Sequence, residues 1–163
     1  MNSHLLMASG FAAALAATFS IRRYGLAILF LIALVETFAQ FRYPFHVIVR
    51  DILLKYRDGP DAKIDLQMLL LAGAGASGAI LLLLLSPMLA RLSIGRQLMT
   101  LGTLIVVAMF GVELISLHHI DAIIYHPVAG FARCAVIYFL GAVIAAAGAW
   151  MEGQRRRNLS LPA

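Results

Sequence analysis

Residues 68–90 read "MLLLAGAGASGAILLLLLSPMLA", without one charged side chain. A helix this long and this apolar has no face to show to water, whereas a bilayer-crossing helix needs about 20 mostly apolar residues. Four further blocks are nearly as apolar: 5–21, 25–41, 98–117 and roughly 128–151. They do not alternate apolar and polar side chains, as the strands of a membrane barrel do. The fold class predicted is therefore an all-α integral membrane protein. It is a single domain over 1–163, a bundle of five transmembrane helices, or four if block 5–21 lies on the surface.

The balance of residue types agrees. Of 163 residues, 62% are hydrophobic and 13% charged, and the mean hydropathy is +0.90. A soluble domain of this size needs many more charges on its surface. The net charge of +5 does not point to nucleic acid, because the basic residues sit in short clusters between apolar blocks, as membrane topology requires. The single cysteine, Cys134, lies inside an apolar block and reads as a small buried hydrophobe.

Block 5–21 is Ala-rich, with the pair Arg22–Arg23 after it rather than before it, which separates it from a signal peptide. "IRRYG" leaves little chain before the next block, so blocks 5–21 and 25–41 should form a tight helical hairpin. Arg22 and Arg23, then Arg91 and Arg96, then Arg155, Arg156 and Arg157 fall on one side if all blocks span. The positive-inside rule makes that side cytoplasmic. The expected location is thus a bacterial inner membrane, with the C-terminus cytoplasmic and the N-terminus external. Segment 42–65 then lies outside, and 45–56 has helical amphipathic spacing: Phe45, Ile48, Ile52 and Tyr56 share one side. An interfacial helix is expected there.

Small residues should set the packing, because lipid supplies no hydrophobic drive between helices. Small-xxx-small pairs occur through Ala72–Ala79, at Gly141, Ala145 and Gly148, and at Ser9, Ala13 and Ala17. Either the bundle itself or a second protein can occupy such faces.

Polar residues gather at the external end. Glu36 and Glu113 interrupt apolar blocks at matched depth, roughly 6–8 Å below the outer boundary at about 1.5 Å per residue. Gln40 lies one turn above Glu36, and His118, His119, Asp121 and His126 follow Glu113. Arg133 starts the last block at similar depth and is expected to meet the two carboxylates in one buried cluster. An ionisable residue at membrane depth is a functional candidate by default, although a Glu–Arg pair can also simply hold helices together. A haem would need His46 together with His118, His119 or His126. A metal ion would draw on Glu36, Glu113, His118, Asp121 and His126. No cofactor is predicted, and no phosphate loop, CxxC pair, nucleophile elbow or HExxH motif occurs.

The layout of "AILFLIALVETFAQFRYPFHVIV", then a small-residue helix ending in "LLLLLSPMLARL", then a short basic turn, resembles the DoxX-like four-helix bacterial membrane proteins. Block 5–21 and "SLHHIDAIIYHP" depart from that pattern, and no residue role is taken from it. The functional expectation is a non-enzymatic accessory subunit of a membrane complex. Its contacts would be the lipid bilayer and either a protein partner or a second copy, with no nucleic acid. The alternatives are a redox, metal- or haem-binding protein using the external Glu/His/Asp cluster, and a proton-coupled carrier acting as an oligomer.

Overall fold

The computed structural model describes residues 2–41, 43–44, 47–48, 62–115 and 123–160. Its elements in chain order are α1 (Asn2–Ser20), α2 (Tyr24–Ala39), α3 (Ala62–Ala90), α4 (Ile94–Ile115), β1 (Pro127–Val128), β2 (Phe131–Ala132) and α5 (Arg133–Ser160). Among the described residues, three helices are long and apolar enough to cross a membrane: Ser3–Ser20, Ile94–Leu114 and Arg133–Leu159. Helix α2 is apolar but shorter, at 16 residues.

The hairpin expected at "IRRYG" is present. Arg22 takes a left-handed conformation (φ 59°). The Arg22 N–H donates to Phe19 O at 3.0 Å and the Arg23 N–H to Thr18 O at 2.9 Å. These bonds satisfy the last carbonyls of α1 while the chain reverses. Hydroxyls inside the helices are satisfied locally too. Thr18, Thr37, Thr100 and Thr103 each donate to the carbonyl one turn back, at 2.7–2.9 Å. Where no water can serve a buried O–H, that is the nearest acceptor.

The centre of the bundle is a seam between α4 and α5, which run antiparallel. Gly95, Met99, Gly102, Val106, Met109 and Glu113 are all buried along α4. Cys134, Tyr138, Gly141, Ala145, Gly148 and Glu152 are all buried along α5. Both sets step by four and three residues in turn, the 3.5-residue repeat of left-handed packing. The glycines let the backbones touch. A methyl group on Gly148 would lie 2.5 Å from Gly95 O, and one on Gly95 would lie 2.8 Å from Gly148 O. A methyl on Gly102 would lie 2.5 Å from Ala145 N and strike Gly141 O as well. The expectation for Gly141, Ala145 and Gly148 is therefore met, and their partners are Gly95 and Gly102.

A second lane on α5, Ala135, Ala142 and Ala149, is fully buried, and a methyl on Gly10 of α1 would sit 3.3 Å from the Ala142 Cβ. The buried lane of α1 is Met7, Phe11, Ala14 and Thr18, not the expected Ser9, Ala13 and Ala17, of which Ser9 and Ala13 are exposed. Phe11 links three helices: its ring stands 6.5 Å from Phe30 of α2 and 5.7 Å, edge-on, from Tyr138 of α5. Around the bundle the neighbours thus run α2, α1, α5, α4.

Two features differ in extent from the sequence reading. Residues 128–132, read as the start of the last span, form with Pro127 a two-stranded hairpin pairing Pro127 with Ala132 and Val128 with Phe131. Its turn residues Ala129 and Gly130 both have positive φ (51° and 83°), as a two-residue type I′ turn requires. The last helix therefore begins at Arg133 and continues through the three arginines to Ser160. Helix α3, 29 residues long, is held at its C-terminal end, where Gln97 Nε2 donates to Leu89 O at 3.2 Å and Leu92 O at 3.1 Å. Its described residues 72–78 are exposed.

Candidate functional site

The α4–α5 seam ends in a buried carboxylate at each side of the bundle, and each is held by different chemistry. At the end where α1 begins and α2 finishes, Glu113 of α4 is 6% exposed. The Tyr138 hydroxyl donates to its Oε2 at 2.6 Å and the Tyr125 hydroxyl to its Oε1 at 3.2 Å. The 2.6 Å bond is as short as the stronger O–H···O⁻ bonds in proteins, and the 3.2 Å bond is longer than that range. The heptad step puts Tyr138 on the seam opposite Glu113. The hairpin and its preceding turn bring Tyr125 back over it: Ala132 N–H donates to Ser3 Oγ at 3.1 Å and Arg133 N–H to His126 O at 3.2 Å.

Glu36, in the last turn of α2, is 5% exposed. Both carboxylates singled out from the sequence are thus buried. Gln40 caps α2 in a left-handed conformation, its N–H on Glu36 O at 2.8 Å, and its side chain is exposed. His126 is exposed, with its Nδ1 3.1 Å from Pro127 O. Arg133 is exposed. The expectation that it joins the two carboxylates in the interior is therefore corrected: the hairpin delays the helix, and Arg133 takes its first, outermost position. His118, His119, Asp121, His46 and most of the 45–56 segment lie outside the described residues. Among the described residues, no three His, Cys, Asp or Glu side chains stand close enough to hold a metal ion.

One residue at this end was missed. His4 of α1 lines a small cavity of ≈ 250 Å³ together with Thr37 and Gln40. The hairpin register carried the signal, since a turn centred on Arg22 sets residue 4 opposite residue 40.

At the opposite end, Glu152 of α5 is 3% exposed and was not singled out from the sequence. Ser93 Oγ donates to its Oε2 at 2.5 Å and Arg96 Nε to its Oε1 at 3.0 Å. Arg156 Nε stands 3.8 Å away, one turn further along α5. Arg156 also donates from Nη1 to Ile21 O at 3.2 Å, tying α5 to the end of α1. Two cavities open here. One, of ≈ 590 Å³, lies between the start of α2 and the first turns of α4, and Arg22, Arg23 and Arg96 line it. The other, of ≈ 630 Å³, is lined by Arg22, Arg156, Arg157 and Trp150 among others. The arginine clusters that the sequence placed on one side do gather at one end of the bundle.

Chemically the two ends are unlike. Glu113 receives the hydroxyls of Tyr125 and Tyr138, which join the last helix and the turn before it to α4. Glu152 has a hydroxyl and guanidinium groups, a setting that fixes an ionised carboxylate and locks helices together. No protein-family model, curated protein or solved structure matches the chain, so the DoxX-like likeness stands on layout alone.

Proposed function

We propose that the protein is a multi-pass inner-membrane protein of a bacterium, without an enzymatic activity of its own. In this reading it serves as an accessory subunit that packs against another membrane protein through α3. Five spans, an external N-terminus and a cytoplasmic C-terminus complete the placement, on the strength of the arginine-rich end. The observation that carries the reading is a contrast between glycines. Those of the α4–α5 seam meet backbone at contact distance, whereas a methyl on Gly73, Gly75 or Gly78 of α3 would meet nothing within 4 Å. In lipid, small residues earn their place by letting another helix approach, and among the described residues none does so there.

The test is purification of the full chain in a mild detergent, with its mass measured by light scattering. A complex with a different protein, lost on Gly75→Leu, is expected. A monomer that carries no partner at native expression would sink the reading, and a homo-oligomer lost on the same change would make the partner a second copy.

A second reading is favoured by the burial of both Glu36 and Glu113 at the external end. It assigns that end to proton, metal or haem handling, with the histidines of 118–126 as further groups. A visible spectrum and metal analysis of the purified protein separate the two: a Soret band or stoichiometric metal supports the second reading, and a colourless, metal-free protein removes its redox form.

A further inference from the structure

We propose that the cavity between the start of α2 and the first turns of α4 binds the phosphate group of an anionic phospholipid. This rests on the membrane placement above and is independent of any partner at α3. Arg22, Arg23 and Arg96 line the cavity with Thr100 and Tyr24, and its volume of ≈ 590 Å³ accommodates a headgroup. Arg96 gives its Nε to Glu152, which leaves its terminal nitrogens for a second acceptor. Among the described residues, neither Arg22 nor Arg23 forms an ion pair. The Nε of Arg23 is buried and has no hydrogen-bond partner. A buried guanidinium N–H is normally satisfied, and the missing acceptor is an anionic oxygen.

The backbone points the same way. Helix α2 starts at Tyr24 with no side-chain cap, and Tyr24, Gly25 and Leu26 line the cavity. Free N–H groups at a helix start favour an anion. The acidic group at this end, Glu152, is already engaged by Ser93 and Arg96.

The source of the phosphate follows from what adjoins it. Tyr24 also lines an apolar groove of ≈ 600 Å³ between α1 and α2, with Phe19, Ile28 and Leu31 along it. A phosphate at the arginines therefore has a track for an acyl chain beginning beside it. Free phosphate has no use for that track, and basic pockets between helices at the cytoplasmic face recognise anionic headgroups.

The experiment uses the purified full chain in a mild detergent. Native mass spectrometry measures binding of short-chain phosphatidylglycerol, of phosphatidylcholine with the same acyl chains, and of inorganic phosphate. Saturable binding of phosphatidylglycerol, tighter than either of the others, is expected. Arg23→Gln should weaken it about fivefold, the worth of one arginine against an anionic lipid. Arg91→Gln, at an exposed arginine outside the cavity, should leave it unchanged. If Arg23→Gln lowers the melting temperature without lipid, Arg22→Gln carries the same comparison. Equal binding of phosphatidylcholine would overturn headgroup recognition, and equal binding of inorganic phosphate would overturn the lipid assignment. An equal loss on Arg91→Gln would reduce the site to diffuse surface charge and overturn it. Release of the chain from membranes by carbonate would sink the membrane placement and this lipid with it. A chain that stays in the membrane and shows no headgroup preference sinks the site alone.

Discussion

Helices α3 and α4 are both apolar and both carry glycines, yet Gly95 and Gly102 of α4 and the glycines of α3 have opposite surroundings. Gly95 and Gly102 of α4 lie seven residues apart, and Gly148 and Gly141 of α5 meet them in the same register. Among the described residues, nothing lies within 4 Å of a methyl on Gly73, Gly75 or Gly78 of α3. A small residue in a membrane helix is thus a permission, not a contact. What turns it into a contact is a matching lane on another helix, repeated at the same step. Helix α5 supplies that lane to α4, and nothing described in the chain supplies one to α3.

The largest effect is expected where the backbones of α4 and α5 touch. Gly102→Leu inserts a side chain where even a methyl has no room, because the obstacles are the backbone of α5 rather than flexible side chains. The helices must part, and the loss should exceed the ~1–3 kcal/mol of ordinary overpacking. Thermal unfolding in detergent, followed by size-exclusion fluorescence, should show an aggregated or strongly destabilised protein. A wild-type melting temperature would mean that α4 and α5 are not in backbone contact.

Next in size is the arginine end of the seam. Glu152→Ala removes the acceptor for Ser93 and Arg96 and a tie toward Arg156. Breaking a fully buried ion pair costs about 3–5 kcal/mol, but the Arg96 side chain is 40% exposed and can turn to water. A smaller loss, about 2 kcal/mol, is expected from hydrogen bonds to a charged group. The tyrosine end should respond less. Tyr138→Phe deletes the donor of the 2.6 Å bond to Glu113 and keeps the ring against Phe11, costing about 1–2 kcal/mol. Melting curves of the two variants should keep that order. If Tyr138→Phe proves the costlier, the tyrosine end is the stronger clasp and the contrast between the two carboxylates is reversed.

Much of this was legible in the sequence, and the rest was hidden for identifiable reasons. Glu36 and Glu113 stood out because a lone carboxylate in an apolar block has no surface role. The α1–α2 hairpin was legible because "IRRYG" is too short for any other path. Glu152 was hidden because it follows the end of an apolar block and precedes Arg155–Arg157, where it passes for part of a topological charge cluster. Counting by four and three from Tyr138 through Ala145 would have reached it. The lane on α1 was misread because alanine is so frequent there that small-xxx-small spacing arises in several registers. Only the large residues Met7 and Phe11 select one. The hairpin at 127–132 was hidden because its side chains are apolar, and Gly130 after Pro127 was the only sign of a turn. Most of segment 45–56, together with His118, His119 and Asp121, falls outside the described residues.

The smallest expected effect tests the other half of the comparison. Gly75→Ala adds one methyl to α3 where nothing lies within 4 Å. No contact is lost and no group is buried, so the isolated protein should keep its melting temperature within the ±0.5 kcal/mol usual for such positions. Alanine is moreover the better helix former, by about 1 kcal/mol in water, so any shift should be upward. In the proposed complex the same methyl stands where a partner helix approaches, and there it should act as a methyl acts at Gly95 or Gly102. The measurement is therefore made twice, on the chain alone and on the assembly extracted from native membranes. Stability unchanged in the first and partner retention lowered in the second would make α3 the counterpart of the α4–α5 seam, completed by another molecule. Loss of stability in the chain alone would mean that α3 is packed within its own bundle. The contrast between the two sets of glycines would then disappear.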